Sequence, residues 1–272
     1  MHPLFRGGDN RENPAVAVSE RAEIIRAEHI TKKFGDLIAV NGVDYVLNEN
    51  EIAGVIGSNG AGKTTLFNLI TGYYTPDEGS ILFRGEDISK WSPQKRVAAG
   101  MMKTFQITST FDNLTVLDNL MLSSFRRRRK ASFLNLFLAG RVKNRADEEI
   151  QESLETFDLS ETASKEVRHL SLGEKRRLEI AMVLLGEPKV LLLDEPLAGL
   201  SEGEIDRLLS VLRRQIGKQT ILIVEHKISK IEDLVERLTV MHEGRVIADG
   251  DCRECLECAE VRKSYWQIDC TS

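Results

Sequence analysis

Gly57-Ser58-Asn59-Gly60-Ala61-Gly62-Lys63-Thr64 follows the spacing G-x-x-x-x-G-K-[ST]. Glycines at those positions let backbone N–H groups close around phosphate oxygens. A helix starting at the loop adds its partial positive charge. In such a loop Lys63 reaches the β- and γ-phosphates, and the Thr64 hydroxyl ligates Mg²⁺. A second constellation, Val190-Leu191-Leu192-Leu193-Asp194-Glu195, is an apolar strand that ends in two carboxylates. One carboxylate can hold the metal and the next can polarise an attacking water, so Asp194 is assigned to Mg²⁺ and Glu195 to the general base. His226 ends another apolar run, where ligands collect in parallel sheets, and is assigned a γ-phosphate contact. The blander readings are a chance Gly-rich turn, two solvated loop acids and a structural histidine. The flanking strand and helix patterns argue against the first, and the neighbouring phosphate loop argues against the second.

These residues need elements to position them. Residues 24–50 read as strands, with Val43, Tyr45 and Leu47 alternating with Asp44 and Val46. Residues 51–57 form a short buried strand, and Leu66, Phe67, Leu69 and Ile70 place a helix over 63–71. Residues 76–79 read as a turn, and 80–84 return as a strand. From about 113 to 168 the pattern is helical, with Leu114, Leu117, Leu120 and Met121 at helical spacing and a charged amphipathic helix over 146–157. Helix 174–185, strand 189–194, helix 204–215 and strand 220–225 follow, the rhythm of a parallel sheet. Residues 238–242 and 245–248 flank Glu243-Gly244 as a β-hairpin. The chain thus reads as an α/β core with a helical block inserted in its middle.

Leu170-Ser171-Leu172-Gly173-Glu174 precedes the carboxylate-ended strand by one helix and resembles the LSGGQ signature of ATP-binding-cassette (ABC) ATPases. Gln106 matches that family's Q-loop, Ala198-Gly199-Leu200-Ser201 its D-loop and His226 its switch histidine. Phe34 stands where the family places an aromatic that stacks on adenine. The order of the motifs is complete, and the resemblance covers about residues 24–250. The signature departs at Leu172, usually glycine, and Glu174, usually glutamine; Ser171 and Gly173 remain. Asn68-Leu69-Ile70-Thr71-Gly72-Tyr73, Thr104-Phe105-Gln106 and Arg176-Arg177-Leu178-Glu179-Ile180-Ala181, with the ending Val261-Arg262-Lys263-Ser264-Tyr265-Trp266, look more narrowly like ATP-binding subunits of branched-chain amino-acid importers. Urea and short-chain amide importers look much the same, and lipopolysaccharide-export ATPases are near relatives.

The resemblance implies a P-loop NTPase (RecA-like) core with an antiparallel β subdomain and an inserted α-helical subdomain. Its parts would be a tail over 1–22, an ATP-binding core over 23–105 plus 171–250, the helical subdomain over 106–170 and a C-terminal helix over 251–272. It implies ATP and Mg²⁺ as cofactors. Nucleotide would be bound by Phe34, Gly57, Ser58, Asn59, Gly60, Ala61, Gly62, Lys63, Thr64 and Thr65, with Ser171 and Gly173 touching the γ-phosphate across a head-to-tail dimer. Catalysis would fall to Glu195, His226, Lys63 and Gln106, and the metal to Thr64, Gln106 and Asp194. Partners would be multi-span permease subunits, a second ATPase subunit (a paralogue or a second copy) and, indirectly, a solute-binding protein, at the cytoplasmic face of the inner membrane.

Composition agrees with a soluble globular chain: 272 residues, 42% hydrophobic and 29% charged. Its longest apolar runs, such as 190–193, are strand-sized rather than membrane-spanning. A net charge of −5 argues against a nucleic-acid partner. The first twenty residues lack the apolar segment of a secretory signal, which predicts a cytosolic chain with reduced cysteines. One P-loop and no heptad run separate it from soluble ABC ATPases of translation and DNA repair, and intact Lys63, Asp194, Glu195 and His226 separate it from a regulator without hydrolysis. Two features stay open. The basic run Arg126–Lys130 reads as a solvated face or as a contact for anionic lipid. Cys252, Cys255 and Cys258 read as helix residues or, with Cys270, as metal or redox ligands.

Overall fold

The computed structural model describes residues 21–104, 110–128, 139–226 and 228–266. Long alternating segments form β1 (Glu23–Phe34) and β2 (Leu37–Asn48), an antiparallel hairpin. The Gly-rich loop joins β3 (Ile52–Gly57) to α1 (Lys63–Thr71). Next come β4 (Glu78–Phe83), β5 (Glu86–Asp87), α2 (Pro93–Ala99) and β6 (Met101–Lys103). The helical block holds α3 (Val116–Arg128) and α4 (Ala139–Thr156). After it run α5 (Leu172–Leu184), β7 (Val190–Asp194), α6 (Glu202–Arg213), β8 (Ile221–Val224) and α7 (Ile228–Ile231). The chain closes with β9 (Arg237–His242), β10 (Arg245–Gly250), α8 (Cys252–Glu257) and α9 (Ala259–Trp266).

Two sheets result. A six-stranded sheet runs β10-β9-β3-β8-β7-β6, and a four-stranded antiparallel sheet runs β2-β1-β4-β5. In the larger sheet β9, β3, β8, β7 and β6 are parallel, and only the β9–β10 hairpin is antiparallel. Parallel strands are covered on both faces, which explains their unbroken apolar runs. Alternate residues serve opposite faces. Ile56 of β3, Leu193 of β7 and Ile223 of β8 pack with residues of α5, α6 and α8, whereas Val55, Leu192 and Val224 pack with α1 and the smaller sheet.

Some elements differ from the sequence reading. β4 begins at Glu78, inside the expected turn, because Gly79 at φ +83 lets the strand run on beside β1; a Cβ there would lie 2.3 Å from the Glu28 carbonyl. β6, an edge strand of three residues, was not expected. The C-terminal segment is two helices, parted at Cys258, whose ψ of 128° ends α8. Cys252 and Cys255 are buried in the core, and the Cys255 thiol donates to the Leu238 carbonyl at 3.3 Å. No group of three His, Cys, Asp or Glu able to hold a metal ion occurs among the described residues. The tail over 1–20, Gln106, Arg129, Lys130 and Cys270 lie outside those residues. Among the described residues no helix is long and apolar enough to cross a membrane.

The C-terminal end of α1 meets the largest fully buried side chain among the described residues. Arg96 of α2, 1% exposed, donates to the carbonyls of Leu69 and Ile70 at 2.6 and 2.7 Å, and to those of Ile88 and Ser89 at 2.7 and 3.3 Å. Burial pulls its guanidinium down to about 10, still charged at neutral pH. A cation at a helix C-terminus also opposes the helix dipole. Arg96→Ala leaves these buried carbonyls without donors and is expected to cost about 3 kcal/mol or more. Arg96→Lys, lacking the planar fork, should recover less than half of that. Urea unfolding checks both, and an alanine variant within about 1 kcal/mol of the parent would remove this role.

Candidate functional site

The parallel strands β3, β7 and β8 end at one edge of the sheet, and the chemistry-bearing residues follow directly: Gly57, Asp194 with Glu195, and Glu225 with His226. Ligands of such folds bind at this edge. After Gly57, residues 58–60 are exposed, and Gly62 caps α1 at φ +98 with no side-chain hydrogen bond to its first turn. A Cβ on Gly62 would sit 2.3 Å from the Ala39 carbonyl of β2, so only glycine fits this approach. The hairpin turn braces the loop, with Gly244 N–H donating to the Ala61 carbonyl at 3.0 Å. Asn41 of β2 donates to the Gly244 carbonyl at 2.8 Å. Helix start, uncapped donors and glycines together make an anion cradle.

Lys63 is folded over that cradle, its ammonium donating to the carbonyls of Gly57 and Ser58 at 2.8 and 2.9 Å. Burial pulls its pKa down, while Glu195 and then Asp194 oppose the shift. Thr64 is exposed and Thr65 half-buried in the first turn. Asp194 is 3% exposed, and its Oδ1 is buried with no hydrogen-bond partner. The ammonium of Lys103, on β6, lies 3.4 Å from Oδ2. An orphaned buried carboxylate oxygen beside a phosphate cradle fits a divalent cation, so the donor set present suits Mg²⁺.

Glu195 adopts φ +46, a left-handed conformation that a non-glycine residue holds at some cost and that is found at functional sites. Its Oε1 lies 2.7 Å from Nε2 of His226. Sequence reasoning gave Glu225 no role, yet it ties the two together. Its carboxylate, 4% exposed, accepts from Leu197 N–H at 2.9 Å and from His226 N–H at 3.2 Å. Burial pushes this carboxyl up, against those two bonds. Lys103 was likewise missed; nothing in its spacing marks it. Its ammonium also lies 4.6 Å from the Phe67 ring centroid.

Phe34 ends β1 at the hairpin tip, 42% exposed, with its ring edge-on to Tyr74 at 5.2 Å. Gln106 lies outside the described residues. Ser171 and Gly173 open α5, Ser171 bonded within its own helix and Gly173 to α6. The turn accommodates both departures. Glu174 closes a capping box with Ser171, accepting the Ser171 N–H at 2.7 Å. Leu172 starts the helix with no positive φ, so glycine's freedom is not required; it lies over Gly199, whose Cβ would be 3.1 Å from its Cδ2. Glu204, at the third position of α6, reaches the same turn and accepts Gly173 N–H at 3.0 Å. Neither its bond to the Ser201 hydroxyl nor its reach across 31 residues was expected from sequence.

Comparison with known proteins agrees with this fold. The family model described as ABC transporter matches residues 40–198. The branched-chain amino acid transport ATP-binding protein BraF of Pseudomonas aeruginosa is 35% identical over 253 residues, covering 89% of this chain and 97% of that protein. The lipopolysaccharide export ATP-binding protein LptB of Haemophilus influenzae is also 35% identical, covering 89% and 96%. A solved ATP-binding cassette of an ABC transporter in its ADP conformation superposes with a TM-score of 0.74 at 30% identity, covering 90% of this chain and 99% of that one.

Glu225→Gln keeps the volume but turns an amide NH₂ toward one of two N–H donors. ATP affinity should stay within about threefold while kcat falls about tenfold, the effect of one lost hydrogen bond. In a His226→Ala background the same change should add little, because the two act together. Loss of ATP affinity with kcat intact would show that Glu225 merely supports the fold.

Proposed function

The chain belongs to the ABC transporter family of ATP-binding subunits, and from that premise we propose that it powers the import of branched-chain amino acids or a related small amide. It is an ATPase that works with membrane permeases and dimerises. In this reading Phe34 stacks on adenine, and residues Gly57 to Thr65 cradle the phosphates of ATP. Thr64, Asp194 and Gln106 would hold Mg²⁺, which would supply positive charge to the transferring phosphoryl group. Glu195 orients and deprotonates the attacking water. Lys63 and His226 neutralise charge as it develops on the γ-phosphate.

The observation that carries the catalytic reading is the convergence of the phosphate cradle, orphaned Asp194 Oδ1 and the Glu195–His226 contact on one sheet edge. Ser171 and Gly173 serve the second ATPase subunit. In a head-to-tail pair each nucleotide lies between one subunit's cradle and the other's signature turn, so ATP favours the closed dimer. Residues 106–170, rooted at Gln106, pass closure to the permease. The complex would sit at the cytoplasmic face of the inner membrane and receive solute from a binding protein.

The end-to-end likeness to BraF supports import. An equal identity to LptB supports a second reading, the ATPase of an exporter. Gentle extraction of the tagged chain from native membranes, with partners identified by mass spectrometry, separates the two. Permease subunits with a solute-binding protein are expected; permeases with lipopolysaccharide-export components would favour the exporter, and only soluble partners would end the transport reading. Glu195→Gln should bind ATP normally, lower turnover by about a hundredfold or more and hold the dimer closed. Rapid turnover by that variant would refute the base assignment.

A further inference from the structure

The signature turn already holds an anion, and the anion belongs to this chain. Glu204 Oε1 accepts the Gly173 N–H at 3.0 Å. Oε2 accepts the Ser201 N–H at 3.1 Å and the Ser201 hydroxyl at 2.8 Å. These Ser201 and Gly173 bonds, together with the Ser171 hydroxyl, hold the Glu204 carboxyl down to about 2, so it is ionised at any physiological pH. The closeness depends on Gly173: a Cβ there would lie 2.7 Å from Cγ and Oε1 of Glu204. Ser171 and Gly173 are also the groups that the proposed dimer offers to the γ-phosphate of the partner's ATP.

We propose that the Glu204 carboxylate is an internal stand-in for the γ-phosphate at the signature turn, and that nucleotide carried by the partner subunit must displace it to close the dimer. The inference rests on the reading of Ser171 and Gly173 as γ-phosphate donors. One N–H cannot serve two anions at full strength, and a carboxylate beside a phosphate repels it. The displaced carboxylate has somewhere to go. Its bonds to Ser201 close the capping box of α6 and do not depend on Gly173. Glu204 therefore has two seats, one bridging signature turn and D-loop, the other on the D-loop serine alone. Arrival of the phosphate switches it from the first to the second, and the D-loop registers that the signature is filled.

The test uses the transporter complex extracted from membranes, carrying Glu195→Gln so that ATP is retained rather than hydrolysed. Radiolabelled ATP retained after rapid gel filtration is measured against ATP concentration. Glu204→Gln keeps the shape and removes the charge; Glu204→Ala removes the carboxylate. Both should lower the half-saturating ATP concentration, by about five- to tenfold for removal of one like charge near the site. An unchanged or raised value, with the parent complex retaining ATP, overturns the stand-in alone. A parent complex that retains no ATP overturns the composite site, and the stand-in with it. Amide hydrogen exchange of the nucleotide-free chain gives a second measure: the segment holding Gly173 should exchange faster in both variants, and unchanged exchange would show that Glu204 does not hold the turn.

Discussion

At the start of α1 a side-chain cap would occupy the N–H donors that a phosphate needs. This constraint governs α1. Gly62 stands at its N-cap with no side chain, where serine, threonine or aspartate ordinarily contributes about 1 kcal/mol. The surroundings supply what the cap does not. Leu66, Phe67, Leu69 and Ile70 are fully buried between the two sheets. The hairpin turn at Gly244 hydrogen-bonds the loop from one side. At the far end Arg96 satisfies last-turn carbonyls with a buried cation. Binding function at one terminus thus fixes the chemistry at the other, through α2.

The other two helices at the site solve the same problem in the opposite way. α5 and α6 each begin with a serine and a glutamate three residues on, and each closes a full capping box. Their N-termini are satisfied before any ligand arrives. The departures of the signature turn from its family pattern are compatible with this. Glutamate at 174 completes the box, and leucine at 172 takes a helical position that needs no glycine. At Gly173 the missing side chain leaves the room that the Glu204 carboxylate occupies.

The parallel sheet was legible because burial on both faces leaves apolar runs such as Val190–Leu193, and the phosphate loop because its glycines and lysine have a fixed spacing. What escaped was short or tertiary. Three residues of β6 carry no period to detect, and the strand exists only because β7 offers it an edge. Gly79 reads as a turn residue in sequence, yet its positive φ serves to continue a strand beside β1. Glu225 looks like one more charge before a histidine. Only the fold reveals that its two oxygens face two different backbone donors.

The acids of the site show why residue type alone does not assign a role. Asp194 is buried with one oxygen lacking a donor, a state that is costly unless a cation completes it. Glu225 is equally buried, but each of its oxygens already accepts a backbone N–H. Glu195 is part-exposed and touches the histidine, so it can meet water and exchange a proton. Glu204 is surrounded by N–H and O–H donors and stays ionised. These four carboxylates therefore differ in what their oxygens still lack. The one lacking a donor suits a metal, the one meeting water suits a base, and the two that accept backbone N–H groups act on backbone.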